Sequence, residues 1–183
     1  ALPAAEIVVV LPEEHIAFWK NLSARFEVAH HRCVAGGSER FHSVKAGIEA
    51  LSEDRGVMAV QDGVRALVSK KLIIRTVQTA IENGSAIPVV TPVDSFRVAT
   101  ECESHPIDRS TLRIIQTPQI FKSEIIKRAY AQPESADFTD DASVVEALGL
   151  KVSLYDGEPD NIKITYPRDL QVACIIMNSQ PQP

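Results

Sequence analysis

A run of five consecutive apolar residues, Ile7–Leu11, is the feature that most restricts how this chain can fold. A strand that is apolar on both faces must be covered on both, as in a parallel sheet lined by helices. Comparable runs occur at Val57–Val60 and Ala86–Val90, and a helical pattern follows the first two of the three. Strands that alternate with helices predict right-handed crossovers. The expected fold is therefore α/β, with a doubly wound, mostly parallel sheet and one antiparallel insertion.

Hydroxyl side chains mark several helix starts, because they can accept hydrogen bonds from the free N–H groups of a first turn. Ser38 and Thr139 stand at such positions, and Gly149 suits a left-handed helix end. A further helix begins at Ser69 and is closed by Asn83 and Gly84. Helices are expected over residues 13–26, 38–51, 69–83, 123–132, 139–148 and 168–178. In the helix after Ser69, the apolar spacing places the inward side chains at Ile73, Val77, Ala80 and Ile81.

Residues 92–115 interrupt this alternation, because two strands occur there with no helix between them. We expect strands at 95–99 and 112–116, joined by a polar stretch, in a β-hairpin arm that projects from the sheet. An arm with little core of its own needs a partner surface, so the arm predicts a homodimer. The whole chain, residues 1–183, is expected to form a single domain around this arm.

The composition excludes several classes of function. A net charge of −5 over 183 residues, with no basic cluster, argues against binding of nucleic acid. No apolar run is long enough to cross a bilayer, so no membrane association is expected. Cys33, Cys102 and Cys174 are widely separated and follow neither a disulfide nor a zinc pattern, which favours the reducing cytoplasm. Small anionic ligands remain possible, because a few N–H groups and cationic side chains can hold them.

Asp62 stands where the second apolar strand ends. In open α/β sheets, ligands bind in the crevice outside the carboxyl ends of the strands. A carboxylate in that place can hold Mg²⁺ beside a phosphate, although aspartate is also common in ordinary turns. From its position alone, Asp62 is a candidate metal ligand and no more.

Two other stretches carry candidate polar groups. Gly36 and Gly37 allow a tight turn before a helix that contains Ser43 near its N-terminal end, although a well-capped helix explains the same pattern. In the predicted strand over residues 161–165, Ile162 and Ile164 face one side and Lys163 faces the other. Periodicity by itself favours a solvated strand lysine.

Seven segments in order, covering nearly the whole chain, resemble the 2-C-methyl-D-erythritol 4-phosphate cytidylyltransferases of isoprenoid biosynthesis. A single one of these motifs would be weak, but their order and compatible spacing make the resemblance specific. The segments are Gly36–Arg40 with Ser43, Asp62–Arg65, Pro92–Ser95, Asp108–Arg109, Gln116–Phe121, Thr139–Ser143 and Asn161–Thr165.

The resemblance implies a nucleotide-diphospho-sugar transferase-like, Rossmann-like fold and Mg²⁺-dependent transfer of CMP from CTP to a polyol phosphate. It implies that Lys163, Asp62 and Arg109 act in catalysis and that Asp62 also holds the metal. The CTP-binding residues would be Gly36, Gly37, Ser38, Ser43 and Gly63. The acceptor-binding residues would be Arg65, Ser95, Arg109, Thr117, Thr139 and Lys163, with Ser95 and Arg109 reaching the acceptor on the other subunit of a dimer.

Departures from the family pattern leave two alternatives open. Gln61 stands where the family has His, Ala66 where it has Pro, and Ser95 where it has Thr. The family's N-terminal glycine-rich loop has no counterpart before Gly36, so we expect this sequence to be part of a longer natural chain. The alternatives are a ribitol-5-phosphate cytidylyltransferase and an inactive dimeric scaffold that lacks the triphosphate loop.

Overall fold

The computed structural model describes residues 5–52 and 56–179, which form two compact units. The first unit contains the residues up to Val60 together with Phe121–Lys151, and the second contains Gln61–Ile120 and the residues from Val152 onward. The strands are β1 Val8–Leu11, β2 Arg32–Ala35, β3 Val57–Val60, β4 Ser85–Val90, β5 Phe96–Ala99, β6 Ser104–Ile107, β7 Ile114–Ile115, β8 Gln119–Lys122 and β9 Leu154–Asp156. The helices are α1 Glu13–Arg25, α2 Arg40–Glu49, α3 Lys70–Asn83, α4 Ser123–Tyr130, α5 Asp141–Glu146 and α6 Pro167–Ser179. The predicted α/β class is confirmed.

In the first unit, β1 and β2 pair in parallel, with Val9 opposite Cys33. All four residues of β1 are partly exposed, so the prediction that this strand is buried on both faces is wrong for the described residues. The core of the unit lies instead around Phe41 of α2, whose ring stacks on Tyr130 at 4.9 Å and on Phe138 at 5.7 Å between centroids. This aromatic cluster holds α2 against α4 and the segment before α5.

In the second unit, β4 is the central strand, antiparallel to β7 and parallel to β9. Helix α3 packs against β4, and the predictions at both helix ends are confirmed. The Ser69 hydroxyl accepts from the N–H of Leu72 at 2.9 Å, and Gly84 is left-handed, with φ of 87°. Of the predicted inward residues, Ala80 is buried, but Ile81 is 56% exposed, and the other fully buried positions are Leu72 and Thr76. Residues 72–74 are all apolar, so the helix has two possible apolar stripes. Tertiary packing determines which of the two is buried.

The arm is a hairpin, but its second strand is not the predicted one. β5 pairs antiparallel with β6, with Phe96 opposite Ile107, whereas the predicted partner at 112–116 supplies β7 to β4. A tight turn explains this register, because the Thr100 N–H donates to the Glu103 carbonyl at 2.8 Å. Such a local turn brings the two strands together at a small entropic cost.

Two predicted helix caps are each off by one residue. Glu39 rather than Ser38 precedes α2, and it makes no side-chain capping bond. Asp140 rather than Thr139 caps α5, through a capping box in which Asp140 accepts from the Ser143 N–H and Ser143 accepts from the Asp140 N–H. Gly149 is left-handed as predicted, with φ of 75°.

Two strand predictions also differ from the structure. Residues 161–165 belong to none of the strands in the described chain, although Ile162 and Ile164 are more buried than Lys163, as the alternation predicts. β8 was missed, because Gln119 was interpreted as the end of a turn that contains the cis peptide bond Thr117–Pro118. Within residues 5–52 and 56–179, the structure has no helix with the length and apolar composition needed to cross a membrane.

The start of α6 predicts a dependence of stability on pH. The Asp169 carboxylate accepts hydrogen bonds from the N–H groups of Thr165 and Tyr166, both at 2.8 Å. These bonds, that of Tyr166 first, hold the pKa of Asp169 below its usual value. A carboxylate with a lowered folded-state pKa contributes stability above its unfolded pKa, and this is lost as the pH falls through the folded pKa.

We therefore expect Asp169→Asn to lose less stability than the wild type when the pH falls from neutrality to about 3. Urea unfolding midpoints at both pH values measure this difference. Equal losses in the two proteins would contradict the assignment.

Candidate active site

Lys163 faces Asp62 in the second unit. The Lys163 ammonium Nζ lies 3.4 Å from Oδ2 of Asp62, and the lysine side chain is 53% exposed while that of the aspartate is 19% exposed. Asp62 comes two residues after β3, and its N–H donates to the Thr117 hydroxyl at 3.0 Å. An accessible cation therefore stands beside a carboxylate whose backbone is held in place.

Arg65 supports this loop from below the surface. Arg65 is 8% exposed, and its guanidinium donates to the carbonyls of Asn161 at 2.8 Å and Ile115 at 3.1 Å. Its Nε lies 3.6 Å from Oδ2 of Asp62. Burial lowers the pKa of the Arg65 guanidinium, and the Asp62 carboxylate opposes that shift. Arg65 thus fixes the loop with two buried bonds, and its predicted contact with an acceptor stays a prediction.

Asp62 fits a magnesium ion that is bound mainly by a nucleotide. The described residues contain no group of three or more His, Cys, Asp and Glu side chains that could hold a metal together. Mg²⁺ at phosphate-transfer sites commonly takes one or two carboxylates and completes its shell with water and phosphate oxygens. One partly exposed carboxylate beside a lysine matches that donor set.

The glycine turn of the first unit is shaped by close contacts with α2. A Cβ added to Gly36 would lie 2.7 Å from the Ser43 hydroxyl, and one added to Gly37 would lie 2.3 Å from Cβ of His42. The Gly37 N–H donates to the Ser43 hydroxyl at 3.2 Å. Ser43 therefore closes the turn that Gly36 and Gly37 make possible, and Ser38 lies exposed just after it.

An ion pair between Arg40 and a buried carboxylate anchors the start of α2 next to this turn. Arg40 donates to both carboxylate oxygens of Asp141, at 3.0 and 2.6 Å, and Asp141 is fully buried. The Tyr130 hydroxyl donates to the same carboxylate at 2.6 Å. Burial, with a further contribution from Asp141, raises the pKa of Tyr130 far above its usual value. An arginine at a helix start can simply pair with surface carboxylates, but the partner of Arg40 lies in the core.

The remaining predicted residues lie on the surface. Thr139 is exposed, and its N–H donates to Ser143. Ser95 and Arg109 lie on the exposed arm, where the Arg109 guanidinium donates to the carbonyl of Val93. A Cβ added to Gly63 would meet no atom within 4 Å, so there is open space at that point of the loop. Their predicted contacts with substrates stay predictions.

Comparison with known proteins identifies the family. Residues 3–179 match the sequence model described as IspD: 2-C-methyl-D-erythritol 4-phosphate cytidylyltransferase. The chain belongs to this family. A member of the family from Bacteroides fragilis is 43% identical over 174 residues, which are 94% of this chain and 78% of that relative. One from Porphyromonas gingivalis is 40% identical over 175 residues, with the same two coverages.

Solved structures agree with the family assignment. The family member from Thermus thermophilus is 30% identical, with a TM-score of 0.77 over 96% of this chain and 84% of that chain. A 4-diphosphocytidyl-2C-methyl-D-erythritol synthase from Anaerococcus prevotii is 26% identical, with a TM-score of 0.82 over 94% of this chain and 78% of that chain. The nucleotidyltransferase-like α/β fold of the family is therefore the fold of this chain.

Sequence reasoning missed the roles of two buried amides, Gln116 and Asn161. Both belong to segments that resemble the family, but only their neighbours Thr117 and Lys163 received roles. Burial of Gln116 and Asn161 could not be predicted from their residue types, because Asn and Gln are mostly exposed in proteins. Only the contacts of their side chains reveal what they do.

Proposed function

We propose that this chain transfers CMP from CTP to 2-C-methyl-D-erythritol 4-phosphate and releases pyrophosphate, in non-mevalonate isoprenoid precursor biosynthesis. The observation that supports this most is the Lys163 ammonium, 3.4 Å from the Asp62 carboxylate in a chain of this family. A phosphate oxygen of the acceptor attacks the α-phosphorus of CTP, a new P–O bond forms, and the bond to the β-phosphate oxygen breaks. Negative charge grows on the transferring group and on the leaving pyrophosphate.

Lys163 is placed to stabilise that charge. Positive groups that are already in position when charge develops lower the barrier without further reorganisation. The exposed Lys163 ammonium lies beside Asp62 and is accessible to phosphate oxygens. Asp62 would also hold Mg²⁺, which when bound neutralises phosphate charge and orients the triphosphate. Arg65 and Thr117 hold the loop on which Asp62 lies.

We propose nucleotide contacts in the first unit for Gly36, Gly37, Ser38 and Ser43, and in the second for Gly63. Acceptor contacts are proposed for Arg65, Thr117, Thr139 and Lys163. A homodimer through the arm of residues 92–115 would bring Ser95 and Arg109 to the acceptor of the other subunit. The exposed hairpin β5–β6 supports this, because it leaves the apolar side chains of Phe96 and Val98 exposed and has little core of its own. The free thiols of Cys33, Cys102 and Cys174 support a cytoplasmic location, and we propose no nucleic-acid or membrane partner.

The glycine turn offers a specific test of nucleotide binding. Replacing Gly37 by alanine is expected to raise KM for CTP roughly tenfold or more. The new Cβ would lie 2.3 Å from Cβ of His42, so the turn must move. Steady-state kinetics with varied CTP measure this, and thermal unfolding checks that the variant is folded. An unchanged KM in a folded variant would remove the turn from the nucleotide site.

The reaction itself is tested by pyrophosphate release with CTP and Mg²⁺. We expect turnover with 2-C-methyl-D-erythritol 4-phosphate, and much less with ribitol 5-phosphate. A preference for ribitol 5-phosphate would change the proposed acceptor and leave the proposed CMP transfer as it is. No release with either acceptor would favour the inactive scaffold.

A further inference from the structure

Two buried amide side chains surround the segment that carries Lys163. Gln116 is 3% exposed and Asn161 is fully buried, and both lie in the second unit. Buried polar groups destabilise a protein unless they are hydrogen-bonded, so their partners indicate what they hold in place.

Gln116 bonds to the turn that leads into residues 161–163. Its amide Nε2 donates to the carbonyl of Glu158 at 2.7 Å, and its Oε1 accepts from the N–H of Glu158 at 3.1 Å. The same Nε2 lies 3.3 Å from the carbonyl of Asn161. The approach is close, because a Cβ added to Gly157 would lie 2.4 Å from Oε1 of Gln116. One side chain thus satisfies backbone groups at both ends of the turn.

Asn161 joins that turn to the rest of the site. Its Nδ2 donates to the carbonyl of Thr117 at 2.8 Å, and its own carbonyl accepts from Arg65 at 2.8 Å. Thr117 in turn accepts from the N–H of Asp62. Asn161 is therefore bonded to the two residues that hold the Asp62 loop.

Lys163 follows Asn161 by two residues and depends on this framework. Its side chain is 53% exposed, so its own contacts restrain it weakly. The next N–H, that of Ile164, donates to the carbonyl of Val64 in the Asp62 loop at 2.9 Å. The distance between Lys163 and Asp62 is thus set mainly by backbone that Gln116 and Asn161 hold.

We propose that Gln116 and Asn161 are positioning residues that set Lys163 opposite Asp62 for phosphate transfer. This inference rests on the proposed function. Misplacement of a reacting group by about 1 Å can lower the rate roughly 100-fold. Loss of either amide therefore lowers kcat, while the exposed lysine itself remains chemically intact.

The test compares Gln116→Leu and Asn161→Leu with Gln132→Leu as a matched control. Gln132 belongs to the first unit, and its amide also donates to two carbonyls, those of Ala129 at 2.9 Å and Val144 at 3.1 Å. The three variants thus each lose a side-chain amide that donates to backbone carbonyls, and the amide of Gln132 is the one that is only partly buried. Gln116→Glu keeps the length and the acceptor of Gln116 and serves if the leucine variant does not fold.

Activity is measured with and without the additional change Lys163→Ala. We expect kcat to fall about 100-fold in either positioning variant and less than about threefold further when Lys163 is already absent. If Gln116 and Asn161 had a purely structural role, their loss would lower kcat by the same factor whether or not Lys163 is present. Losses that multiply, or losses no larger than that of Gln132→Leu, would overturn the proposal.

Amide hydrogen exchange is a second test, and it does not depend on enzyme activity. We expect the Ile164 amide to exchange at least about tenfold faster in the positioning variants, relative to the Ile87 amide of the same unit. If the wild type releases no pyrophosphate, the proposed function fails, but faster exchange at Ile164 still supports the positioning role. Unchanged exchange at Ile164 would overturn that role.

Discussion

Replacing Lys163 by alanine is expected to lower kcat roughly 100- to 1,000-fold, the size of effect seen when one stabilising donor is removed from a transition state. The ammonium lies 3.4 Å from Asp62 and its side chain is 53% exposed, so it is available to the phosphates. Pyrophosphate release under saturating substrates measures the loss. Lys163→Arg keeps the charge on a bulkier, planar group and is expected to recover only part of the activity.

Lys163→Ala should leave the stability of the fold almost unchanged. Exposed ion pairs contribute about 0 to 1 kcal/mol to stability, so the free energy of unfolding is expected to change by less than about 1 kcal/mol. Lys70→Ala, another exposed lysine in the second unit, is the matched control and should keep both activity and stability. Turnover of Lys163→Ala within threefold of the wild type would show that Lys163 has no part in the transfer.

Replacing Asp141 by alanine is expected to lower the free energy of unfolding by about 3 kcal/mol, because it removes a fully buried carboxylate that accepts hydrogen bonds from Arg40 and Tyr130. The variant leaves the Tyr130 hydroxyl, in a residue that is 2% exposed, without its acceptor, and it separates Arg40 from its bidentate partner. A change of this size corresponds to about 6 to 12 °C in Tm for a chain of this length. Urea unfolding and thermal denaturation both measure it.

One further variant measures the contribution of the Tyr130 hydroxyl, and another serves as a control. Tyr130→Phe removes one hydroxyl and is expected to destabilise the protein by about 1 kcal/mol. Asp137→Ala, at an exposed aspartate of the same unit, should change stability by less than about 0.5 kcal/mol. If Asp141→Ala is no more harmful than Asp137→Ala, the ion pair with Arg40 does not support the fold.

Local signals in the sequence predicted much of the secondary structure. Ser69 and Gly84 mark the ends of α3 because a cap and a left-handed glycine act on their own helix. Ser38 and Thr139 were each off by one residue. An adjacent Glu or Asp can occupy the same place, and only the folded backbone shows which residue precedes the helix.

Side-chain partners far apart in the chain could not be predicted in this way. Arg40 and Asp141 are 101 residues apart, and the pattern around Arg40 fits a surface helix equally well. The partner of β5 was misassigned, because pairing follows the turn at 100–103 as well as the apolar pattern. Gln116 and Asn161 received no role, because an amide acts here through the carbonyls it meets.

The sequence by itself determined the α/β class, the capped helices and the segments that place this chain in its family. These depend on apolar periodicity, on capping residues next to the groups they cap, and on motifs contiguous in the chain. The tertiary structure alone decided which face of α3 is buried, that Asp141 receives Arg40, and that two amides hold Lys163 near Asp62. Those outcomes depend on packing and hydrogen bonds between residues distant in sequence, whose free energy exists only once the chain has folded.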